Sequence, residues 1–333
     1  MLFYTKMTEK KKIDWLAVLQ GLSMLLVVVG HVSLTNQPRD PSTPIATGIE
    51  TTIYTFHMPL FIFISGWLFY YTCIGRNKSY KDMLISKFKR LLIPFYAFTI
   101  VTMLLKMALP QLMHRVVDAE EIINTFVFFR SNPLGEMWFI IVLFELMLLY
   151  PLYKLMMKNV VLAVFGLGCA FLIGIITPDI SYYNIGKVAY MLPFFVTGII
   201  CCRYELHKII GKTWLFLMIT VFFVACNIWG MLPKSMEIEV AMVGTLFAMS
   251  LCLIVARFIP NMFKSYRNYT FQIFLMGIFF QMAIRWIYVK MGIEMLFVPL
   301  WLLSVVIGVY VPTFIAKLIN RYAPQKVRLC FGL

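Results

Sequence analysis

Apolar residues recur along this chain in runs of about twenty, separated by short polar stretches. Ten such segments can be drawn: about 14–34, 50–74, 86–108, 137–153, 159–177, 187–202, 213–231, 239–256, 269–289 and 295–316. A helix rises 1.5 Å per residue, so runs of this length suit a hydrocarbon core of about 30 Å. A membrane barrel would instead show short segments of alternating polarity. The pattern predicts an all-α polytopic membrane protein of about ten transmembrane helices, forming one domain over 1–333. The longest loop, 109–136, contains a stretch, 117–129, whose apolar spacing predicts an amphipathic helix at the surface. No internal repeat and no low-complexity linker interrupts the pattern.

Composition agrees. The 333 residues are 61% hydrophobic and 14% charged, with a mean hydropathy of +0.84. Soluble domains run nearer 45–50% apolar and about 25% charged. A basic segment precedes the first apolar run, and no small-residue cleavage site follows His31, so the first run reads as an uncleaved helix. The seven cysteines have neither metal-ligand nor disulfide-framework spacing and read as small apolar residues. No metal site is expected.

The net charge of +15 would suggest nucleic acid in a soluble protein. In a membrane protein it has a different meaning. With the N-terminus inside, 22 of the 30 Lys and Arg residues fall on the cytoplasmic side. The other eight are Arg39, Lys106, Arg115, Arg130, Lys187, Lys234, Arg285 and Lys290. The positive-inside rule then places both termini in the cytoplasm. Residues 1–12 and 317–333 read as basic cytoplasmic tails, the expected partner is the lipid bilayer, and no nucleic acid is expected.

The first apolar run, 20-QGLSMLLVVVGHV-32, carries an ionisable ring near its outer end. Such groups are costly in a span and usually face a cavity or a partner. Gln20 and His31 are eleven residues apart, which returns a helix to within about 20° of the same face and rises roughly 16 Å. They share one stripe that links the inner half of the membrane to the outer half. The second span, 54-YTFHMPLFIFISGWLFYY-71, runs back inward and puts His57 at a depth similar to His31. Ser65 and Gly66 form a small pair near its middle that permits close helix approach. A histidine of near-neutral pKa can take the proton of a hydroxyl attacking an acyl carbonyl. It can equally sit at a helix end to reach headgroups. His114 and His207, in loops, are expected to be solvated.

Glu145 is the only acid between Met137 and Lys154. An intramembrane carboxylate is a functional candidate, either paired with His31 or His57 or held structurally on another helix. Asp14 opens the first span and suits a helix N-terminus. Asn227, Gln281 and Arg285 are further polar residues within late spans, and Arg285 near an outer end either snorkels or contacts an anionic glycan.

Several strings together resemble the membrane acyltransferase-3 family, which includes sugar and polysaccharide O-acetyltransferases. They are IDW–LQGLSMLLVVVGH, FHMPLFIFISGWLF, 87-KFKRLLIPF-95, the Trp138-led 137-MWFIIVLFE-145 and 190-YMLPFFVTGI-199. The pattern is most similar to the fucose-4-O-acetylase-like branch. The resemblance implies acyl transfer, in a bacterial cytoplasmic (inner) membrane, from acetyl-CoA or another acyl-CoA to a sugar or polysaccharide hydroxyl. It implies His31 as base; the residues leave direct transfer and a brief acyl-histidine both open, with His57 orienting His31 or binding the acceptor. It also implies Arg90, with Lys89 beside it, as donor-binding cations; a guanidinium suits phosphate, and the bland role of this cluster is a positive-inside anchor. No bound cofactor is implied; the CoA thioester is a co-substrate. Two positions depart from the pattern. Gln20 stands where the family carries a basic donor-binding residue, and Gly277 stands where it often carries a late histidine. A ten-helix transporter or flippase, or an inactive acyltransferase-like scaffold, are the competing readings. No second half-chain copy of the Gln20–His31 stripe supports an inverted repeat.

Overall fold

The computed structural model describes residues 13–32, 34, 44–108, 119–129, 135–228, 236–292 and 296–333. Among them all regular structure is helical. The helices are α1 (Asp14–Gly30), α2 (Pro44–Phe69), α3 (Tyr80–Lys87), α4 (Ile93–Ala108), α5 (Ala119–Phe126), α6 (Trp138–Leu148), α7 (Tyr150–Met156) and α8 (Val160–Ile176). They continue as α9 (Ile185–Arg203), α10 (His207–Ile210), α11 (Thr213–Ile228), α12 (Glu237–Phe258), α13 (Thr270–Met291), α14 (Phe297–Tyr322) and α15 (Gln325–Cys330).

Among the described residues, six helical stretches are long and apolar enough to cross a membrane, or seven if the bent pair α6–α7 is one span. Asp14–Gly30, Val160–Ile176 and Thr213–Asn227 are apolar but shorter. The bend between α6 and α7 is 55° and falls just before Pro151. Proline fits the first turn of the new helix, where its missing N–H costs nothing. Polar residues mark other boundaries. The Ser79 hydroxyl accepts from the Asp82 N–H at 3.1 Å, and Asn159 Oδ1 accepts from the Leu162 N–H at 2.8 Å, capping α3 and α8. Asp14 lies exposed in the first turn of α1, where a carboxylate favours the helix dipole.

The most extensive packing joins α2 to α9 and α13 to α14. A Cβ at Gly66 would overlap the Phe195 carbonyl, and a Cβ at Gly198 would overlap the Phe63 carbonyl. The two glycines face reciprocally across the α2–α9 crossing and let the backbones touch. Ser65 is half-buried beside them. The small pair of the second span is therefore an α2–α9 device. Gly277 and Gly308 play the same part between α13 and α14, where a Cβ on Gly277 would lie 3.0 Å from the Gly308 carbonyl oxygen.

The predicted surface helix is α5. Its Glu121 binds Lys106 of α4 at 3.2 Å, and its Phe126 ring stacks on Tyr96. Two loop expectations change. His207 is not a freely solvated residue: its ring stacks on Trp15 of α1 at 5.5 Å, and burial lowers its pKa. Residues 317–322 continue α14, and α15 folds back so that Phe331 meets Phe98 and its carbonyl accepts from Gln272 Nε2 at 2.9 Å. An apolar ring and a paired amide make that segment a docked element. His114 and residues 1–12 lie outside the described residues.

Candidate active site

Helix α1 ends at His31. Its N–H bonds the Val27 carbonyl at 3.1 Å, and its Nδ1 approaches the same oxygen at 2.8 Å. A carbonyl oxygen only accepts, so Nδ1 carries a proton, and in the neutral ring Nε2 keeps its lone pair. His57 repeats the arrangement, with Nδ1 2.9 Å from the Ile53 carbonyl oxygen. The rings of His31 and His57 meet edge-on at 5.7 Å, and Tyr54 contacts both, at 5.9 and 5.0 Å. The similar depth expected for the two histidines from an antiparallel α1–α2 pair is what the structure has. The helix-end alternative for His57 is removed by burial, since only 2% of the residue is exposed.

His31 Nε2 faces Glu136 Oε1 at 3.7 Å, an ion-pair distance when the imidazole is protonated. Their side chains are 15% and 28% exposed, so both remain open to a small molecule. Glu136 belongs to a single 3-10 turn, Gly135–Met137, leading into α6, and nothing in the apolar pattern singles it out. Its only sequence signal is position: it lies two residues before Trp138. The indole of Trp138 has the Lys187 ammonium over its face at 4.8 Å.

His31 and Glu136 sit on a narrow, half-open cleft between α1 and α13. Met24, Val27 and Val28 line it from α1, and Ile273, Phe274, Gly277, Ile278 and Gln281 from α13. Met24, Val27 and His31 lie on the stripe that begins at Gln20, so the cleft follows the face predicted from spacing. Gln20 itself is half-buried and is not part of the lining. Gly277, the departure from the late histidine, is in the lining, with the α14 backbone immediately behind it. A histidine there would have to displace Gly308.

Glu145 does not join the histidines. It lies nine residues beyond Glu136, roughly 13 Å further along α6. Its Oε2 is buried without a hydrogen-bond partner. The carboxylate beside His31 is Glu136 in place of the expected Glu145, because α6 starts beside His31 and then runs away from it.

Arg90 and Lys89 are exposed on a π-helical turn, Phe88–Leu92, that opens into α4. Such turns are frequent at functional sites. Lys87 Nζ lies 5.6 Å over the Phe69 ring. The docked C-terminal segment places Gly332 between Phe271 and the Arg90 backbone, near the start of α13. Gln281, by contrast, contacts the end of α1 beside His31. The cations thus belong to the opposite end of the bundle from His31, and the two candidate clusters are not brought together.

A half-open cleft with a hydrogen-bonded histidine and a carboxylate at its rim, within an apolar helical bundle, has the parts of a membrane-embedded group-transfer enzyme. The family model described as an acyltransferase domain matches residues 13–329, and the chain belongs to this acyltransferase-3 family. Searches of curated proteins and of solved structures returned no match. The protein is a multi-pass membrane acyltransferase.

Proposed function

We propose that this acyltransferase moves an acetyl group from acetyl-CoA to a hydroxyl of a cell-surface glycan or lipid-linked sugar, and that it is of the fucose-4-O-acetylase-like branch. On this reading the chain crosses a bacterial inner membrane ten times with both termini cytoplasmic, His31 toward the outer side and Arg90 toward the cytoplasm. The observation that carries the reading is the placement of His31, its Nδ1 anchored on Val27 and its Nε2 3.7 Å from Glu136 at the cleft rim.

The acceptor hydroxyl donates its proton to Nε2 as its oxygen attacks the thioester carbonyl. The carbon–sulfur bond breaks, the acyl group passes to the sugar oxygen, and the CoA thiolate takes the proton back from the imidazolium. Glu136 stabilises that imidazolium while it exists. His57 packs edge-on against the ring and restricts its rotation. Lys89 and Arg90 face the polyanionic end of the donor, and the stripe from Gln20 to His31 has about the length of its extended arm. Glutamine at position 20 leaves the phosphate charge to these two cations.

The test compares cells carrying wild type, no copy, or His31→Ala, measuring base-labile O-acyl groups on surface glycans by mass spectrometry. Loss of one acyl mass in both the deletion and the variant, at equal protein level, supports the reading and identifies the acyl group. An acyl mass lost in the deletion but kept in His31→Ala rejects His31 as the base. No change in either sinks the glycan-acylation reading.

A further inference from the structure

We infer that Gln281, on α13, is a positioning residue for His31; this rests on the acyl-transfer reading above. A helix ends with carbonyls that lack intrahelical partners, and α1 ends in the candidate site. The carbonyl of Val27 is taken by His31 itself, through its N–H and its Nδ1–H. The carbonyl of Val28 has no regular partner, because the Val32 N–H bonds Val29 at 3.3 Å instead. Gln281 Nε2 donates to it at 2.8 Å. Gln281 is 5% exposed and reaches across 253 residues of sequence to do so.

The surroundings are built for this reach. Gly308 of α14 stands directly behind, and a Cβ there would lie 3.1 Å from both Gln281 Cγ and a Val28 methyl. The close approach of α13 and α14 at Gly277 and Gly308 therefore seats the amide against α1. The ring of His31 is fixed to Val27, Val27 is the neighbour of Val28, and Val28 is fixed to α13. One hydrogen bond thus locks the last turn of α1 to the opposite wall of the cleft that His31 lines. An apolar side chain would fill the same space and leave a buried carbonyl unpaired, freeing the turn to shift. Misplacing a catalytic group by about 1 Å can cost on the order of 100-fold in rate.

The decisive variant is Gln281→Met, which keeps the length and volume and removes the N–H donor. It is compared with wild type and His31→Ala for surface O-acyl groups. The purified full-length proteins are compared for the rate at which diethyl pyrocarbonate modifies His31, read by peptide mass spectrometry with His207 as internal reference. The expected result is O-acyl product reduced at least about tenfold, a changed modification rate at His31 alone, and an unchanged elution profile. If Gln281→Met does not accumulate, Gln281→Leu, which also lacks a donor, is measured in its place. Product and His31 reactivity both at wild-type level overturn the proposal while leaving His31 as the base. A wild type with no more O-acyl product than the deletion overturns the acyl-transfer reading, and this proposal with it.

Discussion

His31 Nε2 and Glu136 Oε1 face each other at 3.7 Å across the join between α1 and the turn that opens α6. Two acceptors stand opposed there whenever the ring is neutral. A group with a proton to give satisfies both, and a protonated ring satisfies the carboxylate. The arrangement suits a proton that arrives from a hydroxyl and later leaves.

Glu136→Gln keeps the shape and removes the charge. It is expected to lower acyl transfer by about 10- to 100-fold, since hydrogen bonds and ion pairs to a charged group are worth about 1.5–3 kcal/mol. Protein level and melting temperature should not change. The measurement is O-acyl product per molecule of enzyme, and activity at the wild-type level would remove Glu136 from the mechanism.

Gly66 and Gly168 should respond in opposite ways to alanine. The Gly66 Cβ position runs into the Phe195 carbonyl, which is rigid backbone at the α2–α9 crossing. The expected cost is about 1–3 kcal/mol or more, as for overpacked cores. Gly168 in α8 has nothing within 4 Å of its Cβ position, and alanine there should gain roughly 0.5–1 kcal/mol of helix stability. Melting in detergent micelles reads both. A Gly66→Ala protein as stable as wild type would rule out the close crossing.

Phe263 and Gly21 form a second coupled pair. Phe263 has φ 59° in the segment between α12 and α13, and a Gly21 Cβ would fall 2.5 Å from the Phe263 Cβ and 2.8–2.9 Å from its nearest ring carbons. Tyr266 donates to the Gly21 carbonyl at 3.1 Å beside it. Gly21→Ala alone should destabilise the protein, and Phe263→Gly, which removes the Cβ as well as the ring and suits the positive φ, should relieve that loss. A double-mutant cycle is expected to give a coupling of about 1–2 kcal/mol; additive effects would mean the two do not touch.

His207 predicts an acid sensitivity. Burial, chiefly, holds its pKa below the usual 6.5, with Glu205 opposing and Lys208 adding to the effect. The folded state therefore binds a proton less readily than the unfolded chain. Stability should be complete above 6.5 and fall as pH drops below it, toward the lowered value. His207→Phe keeps a ring against Trp15 and should flatten this part of the stability profile between pH 7 and 5. An unchanged profile would place the sensitivity elsewhere.

Local pattern settles much of this protein. Continuous apolar runs of about twenty residues must be helices in a membrane, because only a helix satisfies its backbone within one segment. Spacing along one helix is equally local, which is why Gln20 and His31 could be assigned one face and Met24, Val27 and His31 do share the cleft. The meeting of His31 with His57 needed only that adjacent spans run antiparallel. What sequence could not supply was the partner across a long separation. Glu136 looks like any loop acid until α6 is placed beside α1. Glu145 looks like the natural partner until α6 carries it roughly 13 Å away. Gly66 announces a close approach without saying that α9 makes it. Gln281 is a polar residue of unknown use until α13 packs on α1 and brings its amide to Val28. Helix formation is decided by a residue and its near neighbours, whereas the pairing of helix faces depends on how all the apolar surfaces fit at once.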